Sequence, residues 1–350
     1  MKIVFVIPDM PGGGTERVVA LLSNEYAKKG HSVSIMLFAG KETAYALDDR
    51  IEVISMAGAS SGSLRIRMKR LKNKREYFKR QKGCLIYSFS TIGTGFVVLS
   101  TVGLSRKMLV SERTDPNSCD HKPYRNFFYR FAKVLVCQTR EAADSFPGYL
   151  RRKTMVIPNP VDSKGLPGVY RGERKKKVVS LGRLEYPKNQ ELLIEAFEEF
   201  HKKFQEYTLH FYGKGTKEGI LREMAAEKHL EDVIVFHGFC PDAAGEIVDS
   251  AMFVLSSDYE GVSNSMAEAM AMGIPVISTD CPPGGCRAYI ENGRNGLLVP
   301  VGDAHALADA MKKVAEDREL AEKLSAEGTK IREKYPVEKI AEKMLRAAQK

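Results

Sequence analysis

Four charged side chains stand in this sequence where a charge is unfavourable without a partner. Glu260 and Glu268 lie eight positions apart in DYEGVSNSMAEAMAMGIPVIS, residues 258–278. Glu260 falls in a loop after the apolar run MFVLSS. Glu268 sits in a helical run among Met266, Ala267, Ala269, Met270 and Ala271. A carboxylate in such surroundings needs donors for its oxygens. A pair of vicinal hydroxyls, such as the 2′ and 3′ positions of a ribose, would supply two; capping of a neighbouring loop is the plainer alternative. In SLGRLEYPKNQELLIEAF, residues 180–197, Arg183 follows the glycine that ends an apolar run, and Lys188 directly precedes a helix expected from about Asn189. A cation there opposes the helix dipole unless something negative is near. Arg183 as a planar fork and Lys188 as a point charge suit a pyrophosphate, whereas a surface pair between Arg183 and Glu185 would be structural only.

A third candidate is DMPGGGTERVV, residues 9–19, which leads from an apolar run ending at Pro8 into a helix. Glycine lets a ligand approach the backbone, and N–H groups at a helix start favour an anion. The spacing is neither GxGxxG nor GxxxxGK[ST], so a tight strand-to-helix turn stays open as the other reading. FYGKGTKEG (211–219) repeats the arrangement, and VIVFHGFC (233–240) supplies one more strand end; either suits a flat ring lying on backbone atoms. His237, inside an apolar strand, reads as structural.

These loops need a scaffold that brings them together. KIVFVIP, HSVSIMLF, GCLIYSF, KMLVSE, KVLVCQT and TMVIP read as strands in the first half. KKVVSLG, YTLHFYG, VIVFHGF, AMFVLSS, IPVIST and GLLVP do so in the second. Short β-rich runs alternating with helical periodicity form parallel sheets covered on both faces. Between the two series, PNPVDSKGLPGVYRGERKKK (158–177) breaks the pattern with proline, glycine and charge, as a domain linker does. The predicted architecture is α/β, two doubly wound Rossmann-like domains facing each other across a cleft. The first spans 1–165 and the second 178–334, joined by a linker at 166–177, with a helix at 335–350 crossing back to the first domain. In such sheets ligands bind beyond the carboxyl ends of the strands, where the candidate loops fall.

With 350 residues, 43% of them hydrophobic and 28% charged, the composition is that of a globular protein with room for two cores. TIGTGFVVLSTVGL (91–104) is too short and too rich in Thr, Ser and Gly to span a bilayer. MKIVFVIP is followed by glycines and a charged helix rather than a cleavage site, so it reads as a first strand and not a signal peptide. Six scattered cysteines, without CxxC, are expected as free thiols in a reducing cytoplasm, and no zinc site is expected. The net charge of +10 is concentrated in LRIRMKRLKNKREYFKRQK (64–82), with ten Lys or Arg and one acid. Anionic lipid, nucleic acid or a phosphorylated substrate would each answer it, as would a plain solvated helix face.

The motifs fall in an order that carries a resemblance. G-R-x-x-x-x-K (Gly182–Lys188), E-G-x-x-N-x-x-x-E (Glu260–Glu268), GIPVIST and NGLLVPVGD are similar to the motifs of the family 4 retaining glycosyltransferases of the GT-B fold. GGGTERVV and IPNPVD (157–162) match that family's N-terminal glycine loop and the segment before its hinge, so the resemblance covers essentially the whole chain. It implies a transferase with donor binding chiefly by the second domain. Arg183 and Lys188 match the residues that hold the donor pyrophosphate and stabilise the departing nucleoside diphosphate. Glu268 matches the ribose-binding glutamate, and Glu260 the glutamate that contacts the transferred sugar near the reacting face. Glu260, Arg183 and Lys188 are therefore the expected catalytic group. The backbones of Gly13 and Gly14 would approach the phosphates and donor sugar, and amides from Val262, Ser263, Asn264 and Ser265 would face the phosphate.

The resemblance further implies a hexosyltransferase-type reaction that retains anomeric configuration, with the leaving phosphate drawing the acceptor proton. No cofactor and no divalent metal are expected, and the lack of an Asp-x-Asp motif agrees. UDP is the preferred nucleotide, and a lipid-linked or saccharide acceptor in surface polysaccharide biosynthesis the expected second partner. Many members carry a histidine in the loop after the fourth strand of the first domain. Here VSERTDPN (110–117) offers Glu112 and Arg113 instead, and Arg113 alone is carried as a sugar or acceptor contact. The basic run, with KPYRNFFYRFAK (122–133) nearby, is similar to the face by which several members dock on anionic lipid. Lys69, Arg70, Lys72 and Lys74 are expected to face the membrane, on the cytoplasmic side of the cell membrane as a peripheral protein, with no nucleic-acid partner.

Two other readings compete. A dinucleotide-dependent oxidoreductase is suggested by Gly12–Gly14, but the GxGxxG spacing and an acid at the end of the second strand (SIMLFAGKE) are both missing. A nucleic-acid-binding protein is suggested by the basic run, but leaves Glu260, Glu268 and the second domain without a purpose.

Overall fold

Strands of three to seven residues, most of them apolar runs, pair side by side into two all-parallel sheets, one in each half of the chain. The computed structural model describes residues 1–40, 43–56 and 64–349, and their side chains except at 64–67, 69 and 70. The chain divides into two units, Met1–Pro160 with Val337–Lys350, and Val161–Pro336.

In the first unit the strands are β1 (Lys2–Ile7), β2 (Ser32–Leu37), β3 (Glu52–Ser55), β4 (Leu85–Ser88), β5 (Lys107–Ser111), β6 (Val134–Cys137) and β7 (Thr154–Val156). Their order is β3-β2-β1-β4-β5-β6-β7. It reverses direction between β1 and β4, the switch point where doubly wound sheets open a crevice. β3 is absent from the strands that the sequence predicts. It is a four-residue edge strand, largely exposed, and carries no continuous apolar run. VSERTDPN consequently follows the fifth strand.

Alternate residues of these strands face opposite sides, so each face needs its own cover. α2 (Leu64–Arg80), α3 (Thr91–Ser100) and α4 (Lys122–Tyr129) cover one face, where Phe78, Val97 and Phe128 pack with Val4, Val6 and Ile86. α1 (Gly14–Lys28) covers the other, its Tyr26 stacked near Phe5. Short helices α5 (Arg140–Asp144) and α6 (Gly148–Arg151) follow β6.

The second unit holds β8 (Lys175–Leu181), β9 (Thr208–Tyr212), β10 (Ile234–Gly238), β11 (Ser250–Leu255), β12 (Val276–Thr279) and β13 (Leu297–Val299), in the order β10-β9-β8-β11-β12-β13. All six runs predicted there are strands. α7 (Gln190–His201), α8 (Glu218–Glu227), α9 (Ala243–Ile247), α10 (Asn264–Ala271), α11 (Ala304–Glu316), α12 (Arg318–Thr329) and α13 (Ile331–Lys334) surround the sheet. Leu193 and Phe197 of α7 pack with Met311 of α11 on one face, and Met266 and Met270 of α10 lie under the other. The final helix, α14 (Val337–Gln349), belongs to the first unit, where the Tyr26 hydroxyl donates to the Ala341 carbonyl at 2.8 Å.

The segment read as a linker, 166–177, belongs to the second unit. Leu166 is buried, and Arg174 donates to the carbonyls of Val248 (3.2 Å) and Ser250 (3.0 Å). Arg332 of α13 donates to the Ser163 carbonyl at 3.0 Å and the Pro167 carbonyl at 2.6 Å. Arginines satisfying irregular backbone hold this stretch in place, although its proline and glycine content reads as loose chain.

Candidate active site

Because the second sheet is all parallel, the loops after its strands emerge on one edge, and β8, β11 and β12 are neighbours there. Their loops are stitched together. The amide of Asp258 donates to the Pro187 carbonyl at 2.9 Å, and the Ser256 hydroxyl to the Lys188 carbonyl at 3.0 Å. The Asn189 side-chain amide donates to Asp258 Oδ1 at 2.7 Å while its own oxygen caps α7 by accepting from the Leu192 amide. The Glu260 amide in turn donates to the Pro282 carbonyl at 2.9 Å. Gly285 lies flat against the Gly261 carbonyl, where any Cβ would collide. Three consecutive strand-end loops thus form one hydrogen-bonded platform.

On this platform the Lys188 ammonium is ion-paired with the Glu260 carboxylate, both side chains four-fifths buried. The negative group that a lysine at the start of α7 calls for is therefore Glu260. The Lys188 stem passes alongside Gly182. Arg183, five residues before Lys188 in the same loop, is exposed. Its suggested partner Glu185 is taken instead by Thr216, accepting from the backbone amide at 2.6 Å and the hydroxyl at 2.7 Å. Those bonds hold the Glu185 carboxyl below the usual carboxylate range. The β9 loop packs tightly here too: Gly213, at φ +147°, presses on the Gly182 carbonyl and has no room for a Cβ.

α10 begins where the Ser263 hydroxyl accepts from the Met266 amide. Ser265 ties this first turn to β8 by donating to the Leu181 carbonyl at 2.9 Å, and lies 3.1 Å from the Ser263 hydroxyl. Val262 and Ser263 are buried, and Asn264 and Ser265 are half-buried. Glu268 is in the second turn and only 8% exposed, between the buried Ala267 and Ala269. Arg183, Lys188, Glu260, Ser265 and Glu268 thus come from the β8 and β11 loops and the helix between β11 and β12.

In the first unit, Gly13 and Gly14 start α1. The amides of Gly12 and Gly13 both donate to the Glu16 carboxylate, and the Tyr45 hydroxyl donates to the Gly13 carbonyl at 2.8 Å. The chain thus places its own anion on the glycine loop. Arg113 is half-buried and held at three points. Its Nε donates to the Ser111 hydroxyl at 2.9 Å, another nitrogen donates to Asn159 Oδ1, and its guanidinium lies 5.2 Å from the Phe89 ring. Gln138 donates to the same Asn159 oxygen at 2.5 Å. Arg113 therefore knits together the ends of β4, β5 and β7.

A family model described as Glycosyltransferase Family 4 matches residues 12–164, and one described as Glycosyl transferases group 1 matches residues 169–331. The two matches follow one another and take in both sheets. The chain is a family 4 glycosyltransferase of the GT-B fold.

The glycosyltransferase is 26% identical over 352 residues to an uncharacterised glycosyltransferase of Haemophilus influenzae, covering 97% of this chain and 98% of that one. It is 25% identical over 337 residues to the Campylobacter jejuni GalNAc-alpha-(1->4)-GalNAc-alpha-(1->3)-diNAcBac-PP-undecaprenol alpha-1,4-N-acetyl-D-galactosaminyltransferase, covering 93% and 91%. Among solved structures, Anabaena HepE in complex with UDP and glucose has the same fold, with a TM-score of 0.87 at 19% identity over 100% of this chain and 99% of that one. The family assignment makes the protein a transferase rather than the dinucleotide-dependent oxidoreductase that Gly12–Gly14 alone suggested.

The basic segment of the glycosyltransferase is α2, as its helical spacing implies. Lys72 is exposed. Lys74 corrects the expectation of a membrane-facing side chain: it is 6% exposed, with its ammonium 4.0 Å from the centre of the Phe96 ring. Its alkyl stem covers apolar surface, as long cationic side chains often do. The side chains of Lys69 and Arg70 lie outside the described residues. Among the described residues no helix is long and apolar enough to cross a membrane.

Glu16, on the glycine loop of the first unit, is a residue that residue type alone did not single out. The signal for Glu16 is its place three residues after the helix-starting Gly13, where an acid reaches back to the first amides.

Proposed function

We propose that this glycosyltransferase is metal-independent, and moves a sugar from a UDP-sugar to a lipid-linked saccharide with retention of anomeric configuration, in surface polysaccharide biosynthesis. The observation that carries the reading is the Lys188–Glu260 ion pair, with exposed Arg183 in the same loop as Lys188 and buried Glu268 in the second turn of the helix that follows Glu260. In this reading Glu268 receives the ribose diol. Arg183 and Lys188 take the pyrophosphate, aided by amides of residues 262–265 at the start of α10. Glu260 passes from Lys188 to a hydroxyl of the sugar being moved, and Gly13 and Gly14 offer a second anion-binding element.

The chemistry follows from charge. As the bond between the anomeric carbon and the phosphate oxygen breaks, an electron pair moves onto the diphosphate. Two fixed cations and a helix N-terminus stabilise that charge without reorganising. The same phosphate oxygen takes the proton from the acceptor hydroxyl as that hydroxyl bonds to the anomeric carbon on the same face. No second carboxylate at glycosidase spacing is then required.

The solved Anabaena relative bound UDP and glucose, and the Campylobacter relative is named for an undecaprenol-diphosphate-linked acceptor; both support the choice of partners. A cytoplasmic protein resting on the inner face of the cell membrane would meet such an acceptor. The test is calorimetric titration with UDP, GDP and NAD, followed by NMR of the product linkage. UDP is expected to bind and the product anomer to match the donor. Binding of NAD alone, or an inverted product, overturns the reading.

A further inference from the structure

The second sheet leaves part of one face open. Lys175 and Lys177 of β8, His210 and Tyr212 of β9 and His237 of β10 line a groove of about 480 Å³. Alternate residues of neighbouring strands share a face, which gathers these five side chains. Glu246 of the short helix α9 stands at the side of the groove. None of its lining residues belongs to the donor platform. Parallel sheets are ordinarily covered on both faces, so a polar hollow in one is a place for a ligand.

The donors in the groove decide its occupant. His210 and His237 lie in line, their ring centres 5.1 Å apart and their planes within 15°, with Nδ1 of the first 2.8 Å from Nε2 of the second. Thr208 Oγ1 closes the inner end, 2.8 Å from His210 Nε2. The outer nitrogen, His237 Nδ1, has no protein partner among the described residues. With Thr208 donating to His210 and His210 to His237, that nitrogen carries an N–H at the exposed end of the line. Tyr212 lies face to face with His237, ring centres 4.2 Å apart.

The three lysines differ in their partners. Lys175 is paired with Asp249 at 2.8 Å and Lys176 with Glu206 at 3.1 Å. Half-buried Lys177 has no carboxylate in ion-pair reach among the described residues. Its ammonium donates to the Glu246 carbonyl at 2.7 Å and lies 3.5 Å from the Tyr212 hydroxyl. Burial lowers the Lys177 pKa; burial and then Lys177 lower those of both imidazoles. An ammonium, a phenol hydroxyl and an imidazole N–H side by side match the oxygens of an anion, and the lysines disfavour a metal ion.

We propose that this groove is a second anion site that binds a small phosphate-bearing molecule, with Lys177, the Tyr212 hydroxyl and His237 Nδ1 donating to its oxygens. Three donors on three side chains suit a tetrahedral oxyanion better than a flat carboxylate. The site is independent of the donor reading, because it shares no side chain with it.

The test titrates the full chain with inorganic phosphate, glycerol phosphate and acetate at constant ionic strength, with excess UDP present to occupy the platform. Calorimetry gives affinity, and imidazole ring signals in NMR report the place of binding whether or not UDP binds. Both phosphates are expected to bind, and acetate at least about tenfold more weakly. The His210 and His237 signals should move with saturation, while those of exposed His229, outside the groove, stay still. Lys177→Met is expected to weaken phosphate at least about tenfold. Lys202→Met, which removes an exposed charge at the end of α7, should leave it unchanged. Tyr212→Phe, which removes only the hydroxyl, gives a second reading if Lys177→Met does not fold, and should weaken phosphate about threefold or more. No phosphate binding up to about 10 mM overturns the proposal. So does binding that leaves the His237 signals in place, that acetate matches, or that both lysine variants weaken alike.

Discussion

The ammonium of Lys188, directly before α7, is ion-paired with the carboxylate of Glu260, 72 positions later in the loop after β11. Each group satisfies the other, and in the proposed reading the donor would exchange partners with both. Glu260→Ala removes the competitor for Lys188 and the group meant for the sugar. UDP affinity is expected to stay within about threefold of wild type, or to improve, while kcat falls by about a hundredfold. Calorimetry and initial rates separate the two. A large loss of UDP affinity with kcat intact would mean that Glu260 serves the nucleotide.

Arg183 and Glu268 should act on binding, through different parts of the donor. Arg183→Ala is expected to weaken both UDP and inorganic pyrophosphate by about tenfold or more, because it removes a charge-assisted contact. Glu268→Gln is expected to weaken UDP by a similar factor but leave pyrophosphate unchanged, since only UDP carries the ribose. Competition assays with the two anions check this. Equal effects of Glu268→Gln on both would place Glu268 at the phosphates or in a purely structural role.

Glu16 occupies the amides of Gly12 and Gly13, where an anionic ligand would sit. If phosphate reaches this loop, Glu16→Gln should lower the KM for the donor by about threefold to tenfold by removing a like charge. Glu16→Ala should also destabilise the start of α1, by about 1 kcal/mol. Steady-state kinetics and thermal melts read the two effects. An unchanged KM in both variants would show that the glycine loop is a turn and nothing more.

His210 and His237 meet on neighbouring strands, with Nδ1 of the first 2.8 Å from Nε2 of the second, and Thr208 Oγ1 2.8 Å from His210 Nε2. Burial, then Lys177 and His237, hold the His210 imidazole down at about 4. Above the ordinary histidine pKa of about 6.5 it is neutral whether the chain is folded or not. As pH falls from about 6.5 towards 4, the unfolded imidazole takes a proton that the folded one refuses, so stability is lost through that window. His210→Gln, compared with wild type by melting temperature from pH 7.5 to 4.5, should show a shallower decline. Parallel declines would mean that the imidazole titrates normally.

Much of the fold could be read along the chain, because a strand buried on both faces writes a run of Val, Ile, Leu and Phe into the sequence. β3 escaped because it lies at the sheet edge with its side chains in water. The segment 166–177 read as a linker because proline, glycine and charge stop regular structure, yet Arg174 within it reaches the Val248 and Ser250 carbonyls, and Arg332, far along the chain, donates to the Ser163 and Pro167 carbonyls. Lys74 read as a membrane-facing cation, whereas it is buried with its ammonium over the Phe96 ring on the next helix.

Residue type and spacing alone singled out Glu260, Glu268, Arg183 and Lys188, since a charge beside a helix start or among Ala and Met demands an explanation wherever it occurs. What those residues do to one another was not in the sequence. The Lys188–Glu260 pair exists because β8 and β11 are neighbours in the sheet although β9 and β10 separate them along the chain. Lateral strand order is set by packing of both faces at once, a global minimum that no local pattern encodes. The same packing left α3 with an uncovered apolar side.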